Sequence, residues 1–280
     1  MGPQVNAPRT QRRSILIVVA ALCAAVLVAG CSAPPTAPPP SPPPPKGPWT
    51  GLLADYRVVW SAEPGIDLLT GPAVVVRAYE ESRIGGLTSG SADFLYPGFD
   101  HAAPRDAAPP APKWPVAEKP TPYPLVGTDR DHILRIDPSG DNVIAVYCNW
   151  GYGIAEDLGG GKYGAHSPST PPGYEAVAAI WLMLSPPPSG YLPLPPQKGP
   201  APAPADDVFG GWRVTQRLPG LPGETRVPAE WPTMIDDVNT CVATAPDPPD
   251  RRLFLTHGTH PRSDFPALPP SPGWPAGNRQ

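Results

Sequence analysis

The 49 prolines of this 280-residue chain are clustered, and the clustering decides where regular structure can form. Each proline fixes φ and lacks a backbone donor, so it breaks helices and sheet ladders. From Gly47 to Tyr96 only Pro48, Pro64 and Pro72 occur, and from Leu125 to Ser167 only Pro138. These windows are free to fold, whereas 87–124 and 185–205 read as stiff loops. With 28 glycines added, the composition enters the range where unfolded stretches are common. The chain therefore predicts one modest domain made of folded islands.

Residues 1–14 are polar and carry Arg9, Arg12 and Arg13, and 15–29 is an unbroken apolar run. That layout is a signal peptide, and the run is shorter than the roughly 20 residues a membrane-spanning helix needs. The tetrad Val28-Ala29-Gly30-Cys31 that follows resembles the bacterial lipobox. The resemblance implies cleavage after Gly30, with Cys31 diacylated and then N-acylated as the new N-terminus. Two or three acyl chains anchor far more firmly than one, which alone gives only reversible attachment. Arg12-Arg13 partly resembles a twin-arginine export signal, but a plain basic leader is the simpler reading.

Of the 15 residues 34–48, 10 are proline. Such a run favours extended polyproline II at about 3.1 Å per residue, a stand-off between anchor and domain. Lipobox, proline stalk and an alanine- and proline-rich body together resemble the envelope lipoproteins of mycobacteria and related actinobacteria. That resemblance implies a chain tethered to the extracytoplasmic face of the cell membrane. The expected organisation is a signal peptide at 1–30, a tether at 31–48, a single α+β domain at 49–245 and a loop-like segment at 246–280. Loss of three arginines with the leader turns a formal charge of −4 into −7, from 18 basic and 25 acidic residues. A surface of that sign repels phosphate backbones, which excludes nucleic acid as a partner.

Leu52, Leu53, Tyr56, Val59 and Trp60 recur at three- and four-residue spacing after Thr50, predicting a first helix. Thr70 caps a second, with Pro72 in its first turn, Val75, Val76 and Tyr79 on its apolar face, Arg77, Glu80, Glu81 and Arg83 on its wet face, and Gly85-Gly86 as its end. His132–Ile136 and Val143–Cys148 flank Asp-Pro-Ser-Gly-Asp-Asn and read as an antiparallel hairpin. A third strand is expected within 174–184 and a fourth at Trp212–Leu218, with a short helix near Met234–Val238. The fold class is thus α+β: N-terminal helices packed on an antiparallel sheet of about four strands. Two helices followed by strands, ending in Gly-Gly-Trp-Arg-Val, resemble the cone-shaped NTF2-like fold, in which a curved sheet wraps a long helix.

Cys23 leaves with the leader and Cys31 takes lipid, which leaves Cys148 and Cys241 in an oxidising compartment. A disulfide between them is expected; its rivals are two buried thiols or a reactive Cys148, which has no basic neighbour to activate it. Gly159-Gly160-Gly161-Lys162 lacks the glycine and hydroxyl of a phosphate loop, since Glu156 and Tyr163 stand there, and reads as a turn. His257 and His260 lack further ligands at zinc spacing. Neither Gly-x-Ser-x-Gly nor Ser-x-x-Lys occurs. No metal, cofactor or catalytic residue is assigned. Asp100, His132, Trp150 and Trp181 are the candidate pocket residues, with Trp60, Tyr79 and Trp212 as further wall or core aromatics. Asp129 and Asp131 read as solvated hairpin-edge charges. The leading expectation is a non-enzymatic domain that binds an apolar small molecule or an envelope protein. The alternative, implied by the NTF2-like resemblance, is an isomerase or dehydratase with His132 or Asp100 as general base.

Overall fold

The computed structural model describes residues 48–166 and 171–277. The chain divides into two units, Met1–Pro42 and Pro43–Gln280. The first lies outside the described residues, and with it the leader, Gly30 and Cys31. The second is an α+β unit in which eight strands form one largely antiparallel sheet.

In chain order the elements are β1 (Asp55–Ala62), α1 (Gly71–Ser89), α2 (Phe99–Ala102), β2 (Leu125–Ser139), β3 (Asn142–Trp150), β4 (Ile154–Asp157), β5 (Tyr163–Ala165), β6 (Val177–Ser185), β7 (Arg213–Gly220), α3 (Met234–Ala243), α4 (Pro249–Thr256) and β8 (Thr259–His260). The order across the sheet is β7-β6-β3-β2-β4-β5-β8, with β1 along the other edge of β2. The predicted hairpin is β2 and β3, paired up to Ser139 and Asn142 so that Gly140-Asp141 alone makes the turn. Gly140 takes a φ of 60°, which a two-residue hairpin turn requires. The third and fourth predicted strands are β6 and β7, and Gly159–Gly161 turns between β4 and β5.

The first predicted helix is a correction. Beyond a 3-10 turn at Gly51–Leu53, the segment is β1, which lies parallel to β2 with Tyr56 opposite Gly127 and Trp60 opposite Asp131. Tyr56, Val58 and Trp60 are buried and alternate with more exposed neighbours, a period of two. In so short a stretch the same residues fit helical spacing as well, and the open edge of β2 decides between them. The sheet also has eight strands rather than about four, and its β1–β2 pair is parallel.

α1 begins after Thr70 as expected but runs past Gly85-Gly86 to Ser89, where Gly90 at φ 64° closes it. Gly86 serves a different purpose, because a Cβ there would lie 2.4 Å from the carbonyl oxygen of Pro115. The face expected to be wet is also buried: Arg77, Glu80 and Glu81 are each 3 % exposed or less.

Alternation along the strands splits the core in two. Ala145 and Tyr147 of β3 join α1 and β1 on one face, whereas Val146, Cys148 and Trp150 join α3 on the other. Cys148 and Cys241 are bonded, which fastens α3 to the central strand. The segment expected to be loop-like, 246–280, carries α4 and β8 and sends Phe265 into one core and Trp274 into the other. Ser271 bridges to Val59, and its carbonyl accepts the Trp60 N–H, so this segment covers the free edge of β1. No helix among the described residues is long and apolar enough to cross a membrane.

Candidate functional site: a carboxylate cleft between α1 and the sheet

β2 reads Thr128-Asp129-Arg130-Asp131-His132, so Asp129 and Asp131 face one side of the sheet and Thr128, Arg130 and His132 the other. The aspartates face α1 and line a cleft of about 310 Å³, together with Tyr56, Glu80, Arg83, Tyr147, Asn149 and Arg217. Asn149, paired with Asp131 across the hairpin, donates from one amide nitrogen to Asp129 Oδ1 at 2.8 Å and to Asp131 Oδ1 at 2.9 Å. The Tyr56 hydroxyl donates to the remaining oxygen of Asp129 at 2.7 Å. The second oxygen of Asp131 has no hydrogen-bond partner among the described residues. Neither has the hydroxyl of Tyr147, whose side chain is 2 % exposed.

Burial pushes both carboxyls above the usual range, Asp131 further because the charge of Asp129 adds to it; Tyr56 and Asn149 pull Asp129 back in part. The two carboxyls, held by one amide in a desolvated site, titrate as a pair. Burial likewise raises Tyr147, so its hydroxyl stays a neutral donor.

The opposite wall is cationic. Glu80 of α1 accepts from Arg217 Nε at 2.8 Å and from Arg83 Nε at 2.6 Å. Burial alone would raise the Glu80 carboxyl, but the two guanidinium groups outweigh it and hold the group down at about 2. The terminal nitrogens of Arg83 and one of Arg217 have no hydrogen-bond partner among the described residues. Ile84, Leu125, Ile154 and Ile180 add apolar surface to the cleft, and His166, bonded to Glu156 at 3.0 Å, also lines it.

None of the four candidate pocket residues lines this cleft. His132 lies on the far side of β2, where its ring stacks on Trp150 at 5.7 Å and meets Ser61 and Glu63. Trp150 and Trp181 are buried in the α3-side core, and the Trp150 N–H donates to the carbonyl of Cys241. Asp100 stands on α2 with its side chain 69 % exposed, beside His101. One residue's shift along the strand separates His132 from the aspartate that does enter the cleft. Asp129 and Asp131, read as solvated, are buried instead, and their spacing of two was the available signal.

A second groove, of about 330 Å³, is apolar and lies between the start of α1 and the proline-rich loops, lined by Val74, Val75, Leu192, Leu194, Phe209 and Trp212. No group of three or more His, Cys, Asp or Glu suited to a metal occurs among the described residues. His257 and His260 sit on the surface beside α4, where His260 packs on Phe254. No protein-family model, curated protein or solved structure matches this chain.

Proposed function

We propose that the chain is a lipid-anchored cell-envelope protein whose folded domain binds a small polar molecule in the carboxylate cleft. The observation that carries this is the Tyr147 hydroxyl and the second oxygen of Asp131, atoms of otherwise buried side chains that open on the cleft without a hydrogen-bond partner among the described residues. Ligand sites are concave and carry a few convergent polar groups of this kind, and a bound molecule with matching donors and acceptors pairs with both. The apolar groove offers area but no comparable group to fix a ligand's orientation, so the polar cleft is preferred as the site.

The anchor rests on the lipobox and the proline stalk. Cys31→Ala is expected to move the protein from the membrane fraction to the soluble envelope fraction, and continued membrane retention of that variant contradicts the anchor. The cleft is tested by native mass spectrometry of the full chain extracted in detergent. A small molecule is expected to travel with the wild type and to be lost from Asp131→Asn; equal occupancy of the two contradicts the site.

A second reading, an acid–base enzyme of NTF2-like type, is favoured by one observation. Asp131 is a desolvated carboxyl beside another carboxyl and a neutral tyrosine, the arrangement that tunes a group for proton transfer. In that reading Asp131 replaces His132 and Asp100 as the group that moves the proton. A long helix laid against a sheet with a polar cleft between them supports the NTF2-like comparison. The parallel β1 ahead of α1, and the second helical layer of α3 and α4, depart from it.

A further inference from the structure

The two sides of the cleft carry opposite charge. Glu80 neutralises one of the two guanidinium groups it binds, so the cluster of Glu80, Arg83 and Arg217 is left with one positive charge and with unpartnered terminal nitrogens. Asp129 and Asp131 form an acidic pair, and of their four oxygens only the second one of Asp131 has no partner among the described residues. Ile84, next to Arg83 on α1, and Ile180, on β6 between the strand of Arg217 and β3, add apolar surface to the cleft. A ligand of single charge pairs one side and leaves the other exposed in a desolvated site, which is costly. A neutral ligand pairs neither charge.

We propose, building on the reading of the cleft as a small-molecule site, that its ligand is a short aliphatic zwitterion with an amine at one end and a carboxylate at the other. The ammonium meets the free oxygen of Asp131 and the hydroxyl oxygen of Tyr147, the carboxylate meets Arg83 and Arg217, and the methylenes between them lie on Ile84 and Ile180. The charged ends are several carbons apart. Arg217 is on β7 and Asp131 on β2, with β6 and β3 between them. Three strand spacings of about 4.8 Å separate their backbones by roughly 14 Å.

Titration calorimetry on the full chain in detergent tests this with an ω-amino acid series from glycine to 6-aminohexanoate, alongside hexylamine, hexanoate and a neutral polyol. Binding is expected to peak within the series at a chain longer than glycine and to exceed hexylamine and hexanoate at least about 10-fold. A charge-assisted hydrogen bond is worth about 1.5–3 kcal/mol, and 1.4 kcal/mol is a factor of ten. Asp131→Asn and Arg83→Gln are each expected to weaken binding about 10-fold or more with far-UV circular dichroism unchanged. Arg83 is a quarter exposed, so its variant keeps the test independent of any folding defect at Asp131. Hexylamine or hexanoate binding as tightly as the best zwitterion overturns the inference. Binding of the polyol alone, or of none of these probes while native mass spectrometry still shows a molecule dependent on Asp131, overturns it and leaves the small-molecule reading standing. No binding in either measurement overturns both.

Discussion

Replacing Cys148 and Cys241 together by alanine is expected to lower the free energy of unfolding by about 4–5 kcal/mol. The bond closes a loop whose ends are 93 residues apart, and in the chain-entropy model a loop of that length removes about this much freedom from the unfolded chain. The bond also holds α3, a ten-residue helix too short to persist alone, against β3 and β6. Other ties remain after its loss: Arg135 Nη2 donates to Asp237 at 2.7 Å and the Trp231 N–H to the same carboxylate at 2.6 Å. Helix α3 is therefore expected to stay docked while stability falls. Equilibrium urea unfolding of the double variant checks this, and a change below about 1 kcal/mol contradicts it.

Trp274→Ala is expected to cost a similar amount, about 3–5 kcal/mol, although only six residues follow it in the sequence. Trp274 is 1 % exposed, with the Arg77 guanidinium 4.3 Å above its ring and Tyr96 edge-on at 5.7 Å. Its N–H donates to Glu81 at 2.7 Å, and the same carboxylate accepts from Trp60 at 2.9 Å and from Tyr96 at 2.6 Å. Burial alone raises the Glu81 carboxyl, and these donors with Arg77 oppose it. Truncation to alanine thus opens a cavity and removes one of three donors from a buried carboxylate. Trp274→Phe keeps most of the volume and loses the donor alone, so it is expected to cost about 1–3 kcal/mol. The two variants, compared by urea unfolding, separate packing from hydrogen bonding, and a loss near zero for Trp274→Ala contradicts the buried placement.

The hairpin of β2 and β3 was legible because its strands are consecutive, rich in β-branched residues and joined by Asp-Pro-Ser-Gly, so every local signal agrees. Helix α1 was legible from Thr70 and Pro72 for the same reason. β1 was not, because its partner begins some 70 residues later and a stretch of eight residues fits two periods equally well. The burial of Arg77, Glu80 and Glu81 was hidden for a related reason. Charged side chains are ordinarily exposed, and what makes their burial tolerable comes from Trp60, Tyr96, Arg217, Pro272 and Trp274, distant in sequence. The spacing of Asp129 and Asp131 fixes them to one face of any strand. Which face lies inside is set by α1, and the strand itself carries no record of it.

The most direct measurement of the carboxylate cleft is the titration of Asp129 and Asp131, followed by carbon-13 carboxyl shifts against pH in the full chain. The account predicts two steps that belong to the pair, both above the usual carboxylate range with Asp131 further displaced, while Glu80 stays ionised down to about 2. Stability follows with defined signs. The aspartates bind protons more readily folded than unfolded, so stability rises as pH falls through their raised values; Glu80 does the reverse, and its contribution is lost from about 4.5 down to about 2. Aspartates that both titrate independently near the ordinary value of about 3.9 would contradict a desolvated, coupled pair facing the cleft.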